Sequence, residues 1–158
     1  RRLAPFIDMM IGVLSDEPPT AGAVKTGTDD IFAAEDAALR PQIERLVAEF
    51  PNLSTIAATL RRVHTASVND WGALCWHRGS YFRSRNYPRF DILDRIGAGD
   101  SFVAGLVHGL LVANDPQKAI DLGAAHGALA MTTPGDTSMA TLPEVEKLAS
   151  GGDAKVQR

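Results

Sequence analysis

The sequence predicts an α/β layered domain in which a mostly parallel sheet carries helices on both faces. Short apolar runs bounded by Gly, Pro and Asp alternate with longer segments of helical period. The earliest run, residues 8–14, is nearly all apolar after Asp8, as a strand buried on both faces of a parallel sheet should be. At 45% hydrophobic and 22% charged, 158 residues suffice for one core, and neither a fibre nor a disordered chain fits.

Each element has a local reason. After the first strand, residues 18–30 are rich in Pro, Gly, Thr and Asp and read as a loop. From 30 to 50 the apolar positions Leu39, Ile43, Leu46, Val47 and Phe50 fall three and four apart, and Pro51 stops the helix. Pro41 inside it predicts two helices meeting at Arg40. Residues 54–63 read as a strand. Residues 71–77 and 81–85 form a hairpin turning at Arg78-Gly79-Ser80, and 90–93 form one more short strand. A long apolar helix then runs to about Ala113, with Gly105 and Gly109 one turn apart to admit a neighbouring helix. Asp115 caps the next helix, with Pro116 in its first position, and that helix ends near Met131. Residues 132–141 are a loop, a short helix starts at Pro143, and the chain is expected to fray from Gly151 onward.

Several function classes are excluded or disfavoured. Sixteen basic against nineteen acidic residues give a net charge of −3, which leaves no excess to neutralise a nucleic-acid backbone. No apolar run is long enough to span a bilayer, no signal-peptide pattern opens the sequence, and the lone Cys75 has no disulfide partner; these point to a cytoplasmic protein. The first residue is Arg1 rather than Met, so a trimmed or incomplete sequence is expected. Cys75-x-His77 is too sparse for a zinc site, which needs four ligands. His108 reads as a packing histidine, and Arg61, Arg62, Arg83 and Arg85 as solvated strand-edge charges.

The informative segment is Gly97-Ala98-Gly99-Asp100-Ser101-Phe102, between a strand and a helix. Small residues let the backbone turn tightly and approach a ligand. Their N–H groups lie at a helix N-terminus, where unpaired donors and the dipole attract an anion. Asp100 places a carboxylate beside that anion hole. A carboxylate is a weak base, which suffices for phosphoryl transfer, where the acceptor hydroxyl loses its proton late. A plain capped turn is the competing reading of these four residues alone. The dinucleotide fingerprint fails, because its third glycine would fall at Phe102; this disfavours an oxidoreductase. Residues 22–28 imitate a phosphate-binding loop, but Thr28 stands where the lysine belongs, so they read as a surface loop.

The wider run Asp94-Arg95-Ile96-Gly97-Ala98-Gly99-Asp100-Ser101-Phe102-Val103-Ala104-Gly105 resembles the C-terminal signature of the ribokinase-like (PfkB) carbohydrate kinases, most of all the 2-keto-3-deoxygluconate kinases among them. Residues 59–63 and 67–73 resemble that subfamily's nucleotide-side strand and loop. Residues 123–133, followed by Gly135-Asp136, resemble the helix closing the adenine pocket and the turn after it. The match covers most of residues 8–145, and the chain resembles only the C-terminal half of the family's usual length.

The resemblance implies a partial ribokinase-like fold over residues 1–150, with 151–158 a frayed tail. It implies a kinase that uses ATP and Mg²⁺ to phosphorylate 2-keto-3-deoxygluconate or a related sugar acid; the missing strands would leave an apolar sheet edge or helix face exposed, so the 158-residue chain is expected to be marginal and to self-associate. Another sugar or nucleoside kinase of the family, or a non-catalytic nucleotide-binding fragment, are the alternatives. By the same resemblance, Asp100 matches the catalytic base, and Gly97, Ala98 and Gly99 the anion hole. Ser67, Asn69, Trp71 and Gly72 fall on a loop that meets the nucleotide, and Asp94, Arg95 and His126 on its flanks, Arg95 as a phosphate contact. Asp136 falls where such kinases contact the substrate. Asp16 and Glu17 stand on the metal side, although residues 14–17 lack the asparagine that the family's acidic loop carries.

Overall fold

The computed structural model describes residues 2–12 and 31–152. Asp16, Glu17 and residues 22–28 lie outside the described residues. The elements are strand β1 (Met9–Ile11), helix α1 (Ile31–Glu49), strands β2 (Thr55–Val63), β3 (Val68–His77), β4 (Ser80–Arg83) and β5 (Tyr87–Asp91), then helices α2 (Ala98–His108), α3 (Pro116–Met131) and α4 (Leu142–Ala149). A π-helical turn, Gly109–Ala113, continues α2.

The α/β reading holds, but the described sheet is mixed rather than mostly parallel. Only β1 and β2 run parallel; β2–β3, β3–β4 and β3–β5 are antiparallel. The reversal between β3 and β4 is the two-residue turn Arg78-Gly79, with both φ values positive, at +46° and +91°. That is the handedness a tight hairpin needs. β1 is shorter than residues 8–14 predict and only half-buried, because Gly12 adopts φ +85° and ends it, and Ile11 stays exposed.

Alternation along the strands divides two cores. Ile56 and Leu60 of β2 and Leu74 of β3 face Ile43, Leu46 and Phe50. Ala57 of β2 and Trp71, Ala73 and Cys75 of β3 face Phe102, Leu106, Ile120 and Ala128 on the other side. Helices therefore cover both faces, as the sequence predicts. α1 is one helix and not two: Pro41 sits within it on an exposed position, while the apolar side on either side of it stays packed. Burial of that side outweighs an interior proline's cost of about 3 kcal/mol.

α2 and α3 touch backbone to backbone. A Cβ on Gly105 would lie 2.7 Å from the Leu122 carbonyl oxygen, and one on Gly109 would lie 2.4 Å from Ala119 Cα. This close packing orients α2 and hence the turn at its start. α3 begins at Asp115, whose carboxylate accepts from the N–H groups of Gln117 (2.9 Å) and Lys118 (3.1 Å), with Pro116 first in the helix. Asp115→Ala is expected to cost about 0.5–2 kcal/mol, read as a lower urea midpoint at unchanged slope.

Fraying from Gly151 is corrected for the two described residues there. Gly151 takes φ +101°, its N–H donates to Leu148 O, and the Gly152 N–H donates to Lys147 O. This is a Schellman closure of α4. Arg85, expected as a solvated charge, donates to Ala149 O (2.7 Å) and Ser150 O (3.2 Å) at the same helix end. α4 opens on a reciprocal cap between Thr141 and Glu144.

Candidate active site

β5 leads through Ile92 and Asp94 into the glycine turn, and α3 fixes that path, because the N–H groups of Leu93 and Asp94 both donate to Met131 O. The Asp94 carboxylate accepts from the N–H groups of Arg95 (2.7 Å) and Ile96 (3.1 Å) with one oxygen, and from Gly135 N–H (3.3 Å) with the other. These backbone bonds hold its carboxyl below the usual carboxylate range. Asp94 therefore acts as a clamp between the turn and the 134–136 loop.

Gly97 follows with φ +79°. A Cβ there would lie 2.0 Å from the Asp136 carbonyl oxygen, so the two loops are in direct contact. The structure thus brings Asp136 to the motif, with an exposed carboxylate that accepts from Thr137 Oγ1. α2 starts at Ala98, and the Ser101 N–H bonds to Gly97 O at 2.9 Å. The N–H groups of Ala98, Gly99 and Asp100 precede that first bond and have no intrahelical acceptor. Nothing lies within 4 Å of a Cβ placed on Gly99. Gly99 and the Asp100 side chain are exposed, whereas Ala98 is buried. The result is an open helix end with free N–H groups and a carboxylate in its first turn.

The other site residues divide. Ser67 is exposed on the turn between β2 and β3, and its carbonyl accepts from Ile92 N–H at 2.8 Å. Arg95 Nη2 donates to Ala66 O (3.4 Å), which ties this turn to the glycine motif. Asn69, Trp71 and Gly72 are not on a loop: they lie within β3 and are buried. Trp71 packs beneath the site, its indole N–H donating to Ala124 O and its ring meeting Gly127. The Asn69 amide is fully buried with neither polar atom bonded. The loop placement came from the resemblance alone; the strand read from the residues at 71–77 extends back to Val68 and takes in Asn69 as well.

His126 projects from α3 into a cleft of about 210 Å³ that it shares with Gly105, His108, Leu142 and Val145. Burial lowers its pKa, opposed by a bond to the Ser101 backbone. A histidine held neutral by folding contributes stability that is full above its ordinary unfolded value of 6.5 and declines as pH falls below it. His77 is shifted the same way by burial and Arg78. Thermal melts from pH 7.5 to 5 are expected to show a declining Tm, and His126→Gln is expected to flatten part of that decline.

Residue Asp70 carries a role that the motif reading misses. Its side chain is 3% exposed; Oδ1 accepts from His64 Nε2 (2.8 Å) and Arg89 N–H (2.7 Å), and Oδ2 faces Arg62 Nε at 3.7 Å. Burial opposes its charge, yet these bonds and the charges of His64 and Arg62 bring its pKa below the ordinary value. An Asp between Asn and Trp is visible in the sequence, but its partners come from three separate segments. Arg62 is accordingly not the solvated charge expected. Cys75 is buried, and burial pushes its thiol up to about 12, so it is inert. Among the described residues no group of three or more His, Cys, Asp or Glu is placed to hold a metal ion, and no helix is long and apolar enough to cross a membrane.

The domain is thus a mixed α/β sheet that delivers a left-handed glycine turn to an open helix end beside an exposed carboxylate. Residues 69–143 match the pfkB family carbohydrate kinase pattern. The chain is 32% identical over 131 residues to a 2-dehydro-3-deoxygalactonokinase of Haloferax volcanii, covering 82% of this chain and 41% of that protein. It is 38% identical over 79 residues to a 2-dehydro-3-deoxygluconokinase of Bacillus subtilis, covering 46% of this chain and 24% of that protein. The solved 2-dehydro-3-deoxygluconokinase of Thermotoga maritima superposes with a TM-score of 0.75 at 29% identity, over 95% of this chain and 44% of that one. Residues 69–143 thus resemble the pfkB family of carbohydrate kinases, and the chain has a ribokinase-like fold. It spans less than half the length of each of these relatives.

Proposed function

We propose that the protein transfers the terminal phosphoryl group of ATP, with Mg²⁺, to a hydroxyl of 2-keto-3-deoxygluconate or a closely related sugar acid, in the cytoplasm. The observation that carries this reading is the pairing of three acceptor-free N–H groups at the start of α2 with the exposed Asp100 carboxylate. The backbone of Ala98, Gly99 and Asp100 neutralises the transferring phosphate. Asp100 takes the proton from the sugar hydroxyl as its oxygen attacks phosphorus, and the bond from phosphorus to the leaving diphosphate breaks. Arg95 lies beside this path, and Asp136 is offered as a sugar-side contact. Mg²⁺ in such chemistry is held by one or two carboxylates, phosphate oxygens and water, and would supply charge neutralisation. Asp16 and Glu17 are proposed on that side. The substrate class rests on the two similar kinases named above.

The test is ATP consumption by the complete protein with 2-keto-3-deoxygluconate, 2-keto-3-deoxygalactonate, ribose, fructose and a nucleoside. Turnover confined to the sugar acids is expected. Turnover with ribose or a nucleoside alone would reassign the substrate, and NAD binding without ATP binding would overturn the kinase reading. The 158 residues alone are expected to bind ATP without turnover.

A further inference from the structure

The buried carboxylate of Asp70 sits where two chain segments approach the anion hole from different directions. One is the 64–67 turn, closed by Thr65, whose Oγ1 accepts from the N–H groups of Ser67 (3.3 Å) and Val68 (3.0 Å). The other is β5, which runs on into Gly97. Opposite Asp70 this strand bulges: Asn69 pairs with Phe90 and Trp71 with Tyr87, so Pro88 and Arg89 together face one residue. Arg89 adopts φ +47°, an uncommon conformation for a side chain larger than glycine, and its freed N–H finds Asp70. The same oxygen accepts from His64, at the start of the turn. Beyond the carboxylate the two segments meet again, through Ile92 N–H to Ser67 O and Arg95 to Ala66 O.

A buried carboxylate is costly unless satisfied, and charge-assisted bonds are short and directional. A charged group in this position fixes register more strictly than an apolar one of equal volume could. We propose that Asp70, acting through His64 and the Arg89 bulge, is a positioning residue for the nucleotide-phosphate site: it holds the 64–67 turn and the 92–97 approach in one fixed relation, and so sets where the N–H groups of Ala98 to Asp100 point. This rests on reading residues 97–100 as the site for the nucleotide's phosphate. Asp70 itself touches neither substrate nor phosphate.

The experiment compares His64→Ala, His64→Gln and Asp70→Asn in the complete protein. The His64 side chain is 24% exposed on a turn, so its variants are expected to fold, and melts check this. Without the His64 bond, ATP affinity is expected to fall about tenfold, the size of one lost charge-assisted hydrogen bond. kcat at saturating ATP should change far less. His64→Gln, whose amide can donate to Asp70, should recover most of the affinity, which a merely structural lesion would not. Amide exchange is followed in parallel in nucleotide-free protein. Residues 64–68 and 92–101 should lose protection together in His64→Ala and Asp70→Asn, while α4 does not. A folded His64→Ala variant with parental ATP affinity, or loosening confined to 64–68, overturns the proposal. Failure of the parent to bind ATP refutes the kinase reading instead, and the exchange result then decides this proposal alone.

Discussion

Asp100→Asn is expected to lower sugar-acid phosphorylation by roughly 10²–10⁴-fold at saturating ATP, the usual worth of a general base. Asn is nearly isosteric and keeps a polar group at the start of α2, but it has neither the charge nor the proton affinity of the carboxylate. Asp100 is exposed, so no packing is lost. The anion hole is backbone and survives the change, so ATP affinity should move far less than turnover. If Asp100 only supports the helix end, the substitution should cost at most about 1 kcal/mol of stability and leave turnover nearly intact. The measurement is steady-state turnover and ATP affinity of the two proteins side by side. Activity within a few-fold of the parent would remove Asp100 from the chemistry.

The second large effect separates two glycines one residue apart. Gly97→Ala places a methyl against the Asp136 carbonyl and forces an alanine into φ +79°. The left-handed conformation costs roughly 1–2 kcal/mol and the overpacking roughly 1–3 kcal/mol more, so a loss of about 2–5 kcal/mol is expected. Gly99→Ala meets nothing within 4 Å and lies within α2. It should leave stability unchanged or raise it by up to about 1 kcal/mol, the difference in helix propensity. Yet its methyl occupies the open side by which a phosphate reaches the free N–H groups, so ATP affinity should fall. Urea melts and ATP titration of both variants check this. Two variants that both lose stability and both keep ATP affinity would show that the turn serves only the fold.

Much of this was legible because the signals are local. The Arg78-Gly79 hairpin, the Asp115-Pro116 helix start and the small residues that let α2 meet α3 are each decided within a few residues of chain. The glycine turn with Asp100 was legible for the same reason, since a helix N-terminus builds its own anion hole from consecutive N–H groups. Asp136 was placed beside it only through family resemblance, and the structure makes the contact through a backbone carbonyl.

Other features depend on partners far away in sequence. Pro41 locally predicts a break, but packing of Ile43, Leu46 and Phe50 against the sheet carries α1 through it. Apolar β2 and β3 look alike in a parallel or antiparallel sheet, because burial on both faces leaves no alternation to read. The strand read at 71–77 reaches back through Asn69 because β2 and β5 pair on either side of it. The bond from Gly135 N–H to the second oxygen of Asp94 likewise joins segments forty-one residues apart.

What the sequence determined by itself is local to residues 97–100: a turn of small residues, unpaired N–H groups at a helix start and a carboxylate beside them. What only the tertiary structure decided is how that turn is held. Asp70 has one partner on the preceding strand, one on the turn and one on a bulged neighbour, and no spacing in the chain encodes their meeting. A buried charge finds its hydrogen bonds in three dimensions, whereas a helix end carries its unpaired donors wherever it is placed.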